Sequence, residues 1–352
     1  MHFLLPLFFL GTSLAQDPSS LTDVPERFRS NDLSASSHAI GEVCYGRLIL
    51  PSGATCNPAA LSEVEEPTFF ASGAVQNGND AYAMANDFIF QKIDSDAISK
   101  LFTSKRTQSY RGQVGLMATV RNFQASFEPY RVQFASQFDN PNYPAVALHA
   151  SSERNLSFSG GTSLSLLHRH LQFISVGVKA SWIERQFIHQ KFTLTEAVLT
   201  PLDSLIPIES QKGVLVDASV MVIPPFFKPI ALSFAVTHIG QLKPYSIYYY
   251  QPTDLALGLS FSNELTLGKV NFSVDIRDFL YANQIASVLY AGASYQIGIV
   301  EIMGGWNKNA ATLGAQIGFR SVFIALAYDT YQSDLMETTA NDRLSMEIRI
   351  SI

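Results

Sequence analysis

Arg343-Leu344-Ser345-Met346-Glu347-Ile348-Arg349-Ile350-Ser351-Ile352 alternates between polar and apolar residues without a break. Leu344, Met346, Ile348, Ile350 and Ile352 share one face, and Arg343, Ser345, Glu347, Arg349 and Ser351 share the other. That is the period of a strand, and no helical period fits it. About ten residues is also the length at which a tilted strand crosses a bilayer. The pattern recurs upstream: Leu313, Ala315, Ile317 and Phe319 oppose Thr312, Gly314, Gln316 and Gly318, and Phe272, Val274 and Ile276 oppose Asn271, Ser273, Asp275 and Arg277. Further back, Tyr130, Val132, Phe134 and Phe138 oppose Arg131, Gln133, Gln137 and Asp139.

Working backwards, strands are expected at 343–352, 321–330, 311–319, 299–306, 287–297, 268–279, 254–263, 230–238, 213–223, 171–185, 145–158, 130–139 and 109–122, with one or two more inside 67–90. Long or polar connections at 331–342, 280–286, 239–253, 186–212 and 91–108 alternate with tight turns near Arg320, Gly298, Leu267 and Pro224-Pro225. Membrane barrels put short turns on the periplasmic side and long loops outside. The expected fold is all-β: a transmembrane up-and-down antiparallel β-barrel of about 14 strands over 67–352, with an N-terminal plug segment. Alternation alone leaves a soluble sandwich or lipocalin-like barrel open, because a buried core and a lipid-facing belt have the same hydropathy.

Composition leans towards the membrane. Hydrophobic residues make up 47%, aromatics 12% and charged residues 15%, against a charged share of about 25% in soluble domains. Lipid contact explains that deficit. The formal net charge is −6 with no basic run, so nucleic acid is not an expected partner. The lipid bilayer is. Residues 1–15 hold an apolar stretch at 3–10 followed by Ser13-Leu14-Ala15, which reads as a signal peptide although its start lacks Lys or Arg. Export to the cell outer membrane follows. No later apolar run reaches the roughly 20 residues of a membrane helix.

Residues 16–66 are rich in Ser, Pro, Gly and acidic residues and alternate weakly, as expected of a periplasmic segment ending in a hatch inside the bore. Cys44 and Cys56 are the two cysteines. In an oxidising periplasm they are expected to form a disulfide, with two unpaired thiols as the alternative. No metal or cofactor is implied.

Within that segment, Thr55-Cys56-Asn57-Pro58-Ala59-Ala60-Leu61 resembles the Asn-Pro-Ala hatch motif of the FadL-like outer-membrane barrels, the motif residues being Asn57, Pro58 and Ala59. Asn-Pro also marks a turn in any protein. Residues 213–245, with Asp217-Ala218-Ser219, Pro224-Pro225, His238-Ile239-Gly240 and Lys243-Pro244-Tyr245, resemble the PorV/PorQ branch of that superfamily, as do residues 292–328. Two departures stand out: His238 where the family usually has Asn, and Ile352 where an aromatic residue is common. The resemblance implies a monomeric fourteen-stranded barrel with a hatch. It leaves two roles: passage of hydrophobic small molecules, or binding of secretion proteins as a scaffold.

Phe187, Ile188, Phe192, Leu194, Val198, Leu199, Leu202, Leu205 and Ile206 make 186–212 an unusually apolar loop, either a binding surface for hydrophobic ligands or a helical hairpin on the barrel mouth. Tyr248, Tyr249 and Tyr250, with Tyr245, extend that site or form an interfacial aromatic girdle. Alternation points Arg111, Gln113, Arg121, Arg131, Gln133, Asp275, Arg277, Glu301, Glu347 and Arg349 into the bore. Their mixed signs fit internal pairing that holds a hatch better than the uniform ring of an anion pore. His168-Arg169-His170 near Ser163 and Ser165 lacks a nucleophile motif, and catalysis is not expected.

Overall fold

The computed structural model describes residues 35–46, 56–64, 66–78, 82–89, 93–104, 108–139, 144–164, 174–224, 230–246, 252–277, 288–307, 310–319, 321–332 and 340–351. The signal-peptide reading of 1–15 lies outside them. Fourteen antiparallel strands form a closed barrel: β1 Thr68–Gly78, β2 Gln108–Val120, β3 Phe123–Asp139, β4 Ala145–Ser163, β5 Ile174–Thr193, β6 Glu209–Val222, β7 Ile230–Gly240, β8 Asp254–Leu265, β9 Gly268–Ile276, β10 Leu289–Ile297, β11 Val300–Asn307, β12 Ala310–Phe319, β13 Val322–Gln332 and β14 Ala340–Ser351. Each strand pairs with its neighbours in sequence, and β14 closes on β1 with Thr68 opposite Ser351 and Gln76 opposite Arg343. Among the described residues no helix is long and apolar enough to cross a membrane.

Burial separates a membrane barrel from a soluble one. On β14, Glu347 is 1% exposed and Arg349 3%, while Ile348 between them is 40% exposed. The inversion holds around the wall: Leu313, Ile317, Phe272, Trp306 and Leu257 face out, and Thr312, Gln316, Ser273, Asp275 and Ser260 are buried. A water-soluble barrel with that outer face would expose a continuous apolar belt, whereas hydrocarbon accepts it.

The short connections 121–122, 266–267, 298–299 and 320–321 share one end of the barrel. That end also carries the longer connections 164–173 and 223–229, and the opposite end carries 79–107, 194–208, 241–253, 277–288 and 333–339 beside the short 140–144 and 308–309. Three strands are longer than all the others: β3, β4 and β5 have 17, 19 and 20 residues and rise beyond the rest at the long-loop end. The pattern in β3 is obscured by a bulge between Glu128 and Arg131, next to Pro129. Below it Phe123 and Phe127 point out, and above it Tyr130 and Val132 share the outer face, so no single period covers the strand.

The stretch 67–90 holds one strand followed by a helix. Helices α2 (Tyr82–Ile89) and α3 (Ser95–Ser104) lie between β1 and β2. Lys100 joins them, its ammonium 3.0 Å from Asp87 and 3.3 Å from Asp96, and those hydrogen bonds hold its pKa above the usual lysine range. Met84, Phe88 and Leu101 pack on Val132, Phe134 and Leu148. Leu148 shares its face of β4 with the exposed Leu156 and Phe158. The helices therefore coat the outer side of the raised wall and leave its inner side to the bore.

Candidate functional site

The bore is occupied by two short pieces of the N-terminal segment, helix α1 (Ala35–Ala39) with its following turn and a 3-10 helix, Pro58–Glu63. The Cys44–Cys56 disulfide ties them together, with Cα atoms 5.8 Å apart. The sequence Asn57-Pro58-Ala59 explains the second piece locally. Pro58 sits at the helix start, where a missing N–H costs nothing. Asn57, fully buried, donates from Nδ2 to the Tyr45 carbonyl at 3.2 Å and so braces one piece against the other. The Ala59 N–H donates to Ser219 Oγ on β6 at 2.9 Å.

The wall opposite has no side chains to spare. A Cβ on Gly161 would lie 2.1 Å from the Pro58 carbonyl oxygen, and one on Gly177 2.3 Å from the Ala59 nitrogen. On the far side Gly292 and Gly305 meet Ile40 at 2.2 Å in the same test. Gly41 and Glu42 turn the chain at positive φ, 73° and 62°. The hatch is thus seated against backbone on both sides.

Charge fixes it further. Asp275 on β9 is 0% exposed, and its carboxylate accepts three backbone N–H groups: Cys44 at 2.6 Å, Tyr45 at 2.8 Å and Gly46 at 2.7 Å. Arg277 pairs with Asp275 at 3.0 Å, donates to the Glu42 carbonyl, and lies over the rings of Tyr45 and Tyr290 at 5.3 and 4.5 Å. Across the bore Glu347 accepts from the Ser36 N–H and hydroxyl at 3.1 and 3.0 Å, and Thr312 donates to the Ala39 carbonyl at 2.9 Å. A buried carboxylate is stable only when its oxygens are bonded in this way.

Beyond the hatch, towards the long-loop end, Glu153 on β4 is gripped by Arg131 at 3.3 Å and by Arg185 in a tighter pair, all three buried. Lys179 faces Asp217 at 4.0 Å, and Asp217 also accepts the His238 N–H at 2.7 Å. Higher still, His149 and His189 face each other with Nδ1 atoms 2.6 Å apart. Among the expected bore residues, Glu301 accepts from Gln316 at 3.4 Å, Arg349 lies 4.3 Å over the Phe323 ring, and Arg111 is half-buried on the bore face of β2.

Arg121 is a correction: β2 ends at Val120, and Arg121 stands exposed in the turn that Asn122 closes with φ 67°. Glu153, Arg185, Lys179 and Asp217 lie inside the expected strands 145–158, 171–185 and 213–223 but were not among the expected bore residues. The period puts them on the bore face; only the cross-strand pairing brings them together.

The apolar loop at 186–212 is also corrected. Phe187, Ile188 and Phe192 are strand residues of β5, buried to 1%, 3% and 3%. Ile188 and Phe192 belong to the helix-covered core on the outer face, and Phe187 lies on the opposite, bore-side face beside Ser151. Only after Thr193 does the chain become a helical hairpin, α4 (Leu194–Leu199) and α5 (Leu202–Leu205). There Leu199 is 76% exposed, as is Val198. A capping box starts α4: Thr193 Oγ1 accepts from the Glu196 N–H at 3.2 Å, and the Glu196 carboxylate accepts from the Thr193 N–H at 2.7 Å. That backbone bond, then the hydroxyl one, holds the Glu196 pKa below the usual range. Tyr248, Tyr249 and Tyr250 lie outside the described residues, as does His168-Arg169-His170.

No protein-family model matches the chain, and no curated protein matches it by sequence. Solved structures do. The toluene transporter TbuX of Ralstonia pickettii superposes with a TM-score of 0.56 at 10% identity, over 92% of this chain and 100% of that one. The fold is shared with that transporter. The monoaromatic hydrocarbon channel CymD gives 0.54 at 11% identity, over 92% and 98%, and the Pseudomonas putida toluene transporter TodX gives 0.50 at 11%, over 90% and 96%. At such identities the likeness is one of fold, and these three proteins are transporters and a channel.

Proposed function

We propose that this chain is a monomeric outer-membrane channel, exported by its signal peptide, that passes small hydrophobic molecules and keeps its bore shut with the hatch between passages. The observation that carries this reading is a disulfide-stapled hatch seated in the bore of a barrel whose fold is shared with toluene and monoaromatic hydrocarbon channels. The exposed Val198 and Leu199 on α4 support it, since an apolar solute arriving at the long-loop end meets them first. The charges around Glu153 support closure: Arg131, Glu153 and Arg185 are paired and buried, whereas charges beside an open aqueous path would be hydrated. The test is uptake of radiolabelled toluene by cells with and without the protein, beside a polar solute of similar size. Faster toluene uptake alone supports the reading; equal acceleration of both solutes points to an open pore, and no acceleration removes the transport role.

A second reading, a PorV/PorQ-like scaffold that binds secretion proteins through its loops, is favoured by one observation. The hatch is bonded to strands on opposite sides of the wall, by Asp275 and by Glu347, as suits a barrel that stays closed. Gentle extraction distinguishes the two: stoichiometric protein partners support the scaffold, and extractable apolar ligand the channel.

A further inference from the structure

The outer wall carries a concavity of about 670 Å³ near the short-turn end, running across β3 to β7. Two cross-strand rows form it. One passes from Phe123 through Gly160, Val178 and Ala218 to Val236, and the other from Thr162 through Val176 and Val220 to Phe234. Phe123 is 69% exposed and Val178, Val220 and Phe234 stand clear of the wall, so the rim belongs to the lipid-facing belt. The floor is small residues and backbone.

Two of its glycines are needed inside the protein, since Gly161 and Gly177 are where the hatch touches the wall. Gly160 is different. A Cβ there would meet the Phe123 ring at 3.7 Å and the Asn122 carbonyl oxygen at 3.9 Å, both ordinary contacts. A glycine inside a strand weakens it, and nothing in the interior requires this one. Its effect is on the outside, where it keeps the floor deep. Hydrocarbon must fill such a hollow, because an unfilled one forfeits dispersion contact along its whole lining. At its short-turn end the hollow reaches Asn122, whose carbonyl accepts the Gly161 N–H at 2.9 Å, and the exposed Arg121 precedes Asn122 in the same turn.

We propose that this groove holds one membrane phospholipid, an acyl chain lying over Gly160 and Ala218 and the phosphate on Arg121. Arginine matches phosphate bidentately and is well suited to the headgroup level. The proposal rests on the wall facing lipid and not on what the bore carries. It also places the bound chain one backbone thickness from Pro58 and Ala59, so the lipid supports the wall behind the hatch.

The test is native mass spectrometry of the delipidated full-length protein, titrated with palmitoyl-oleoyl phosphatidylglycerol and, separately, with the phosphate-free diacylglycerol of the same chains. The expected result is one retained phospholipid, bound at least about tenfold more tightly than the diacylglycerol. Gly160→Leu should lower phospholipid occupancy about tenfold, and Arg121→Gln should remove most of the preference over diacylglycerol. Heat-modifiable migration checks that each variant is folded. If Gly160→Leu does not fold, Ala218→Leu fills the same row from the next strand but one. Equal retention by wild type and a folded groove-filled variant overturns the proposal. So does retention of free fatty acid in place of phospholipid, or a preference untouched by Arg121→Gln.

Discussion

Replacing Asp275 with alanine removes the acceptor of three backbone N–H groups in the hatch, those of Cys44, Tyr45 and Gly46, and the carboxylate partner of Arg277. Hydrogen bonds to a charged group contribute about 1.5–3 kcal/mol each. The three are not additive, because a loosened hatch admits water that recovers more than half of their sum. A net loss of about 3 kcal/mol remains, which is about 150-fold in the ratio of seated to unseated hatch. Hydrogen exchange in nanodiscs reads this directly: protection of the Cys44, Tyr45 and Gly46 amides should fall by about that factor, while strand amides in β11 and β12 keep theirs. Planar-bilayer recordings should show brief conductances absent from the wild type. Asp275→Asn keeps one carbonyl acceptor but turns an amide NH₂ towards the remaining donors, and should lie between the two. If amide protection at Cys44–Gly46 in Asp275→Ala stays within about threefold of wild type, the carboxylate is not the anchor and the reasoning from buried charge fails.

Gly161→Ala should unseat the 3-10 helix, because its Cβ would lie 2.1 Å from the Pro58 carbonyl oxygen; labelling of a cysteine introduced at Ser62 should rise, whereas Gly160→Ala leaves it unchanged. Leu313→Lys places a charge on the lipid-facing side of β12 at the middle of the strand, where the cost is about 2–4 kcal/mol near the bilayer midplane, and urea unfolding from vesicles should shift accordingly. Leu148→Ala opens a hole under α2 and α3 and should cost about 2–5 kcal/mol locally, read as faster proteolysis in 79–107 with the barrel still heat-modifiable. The α4 cap should depend on pH with a definite sign. Its hydrogen bonds lower the Glu196 pKa, so the cap contributes fully above the unfolded glutamate value of about 4.3 and is lost as pH falls through the lower folded value. Exchange at α4 amides should rise only in that acidic range, and Glu196→Gln should abolish the dependence.

Strict alternation in Arg343–Ile352 and its counterparts was enough to give the barrel, the strand number and the tight turns near Arg320, Gly298 and Leu267, though not one at Pro224-Pro225, where the connection runs over 223–229, because side-chain direction in a strand is local and a membrane wall repeats the same two environments on every strand. It also placed Asp275, Arg277, Glu301, Glu347 and Arg349 on the bore face. Where the rule broke, the cause was not local. A bulge reversed the faces of β3, so its first half was passed over, and Arg121 was carried one residue too far, into a turn. Apolar periodicity in Ile188 and Phe192 announced burial without saying against what; only packing shows that α2, α3 and α5 cover them. The hatch was visible as Asn57-Pro58-Ala59 and two cysteines, but its seat depends on glycines and carboxylates up to 311 residues away in the chain, as from Ser36 to Glu347. Sequence period fixes which way a residue points; only closure of the barrel decides what it meets there.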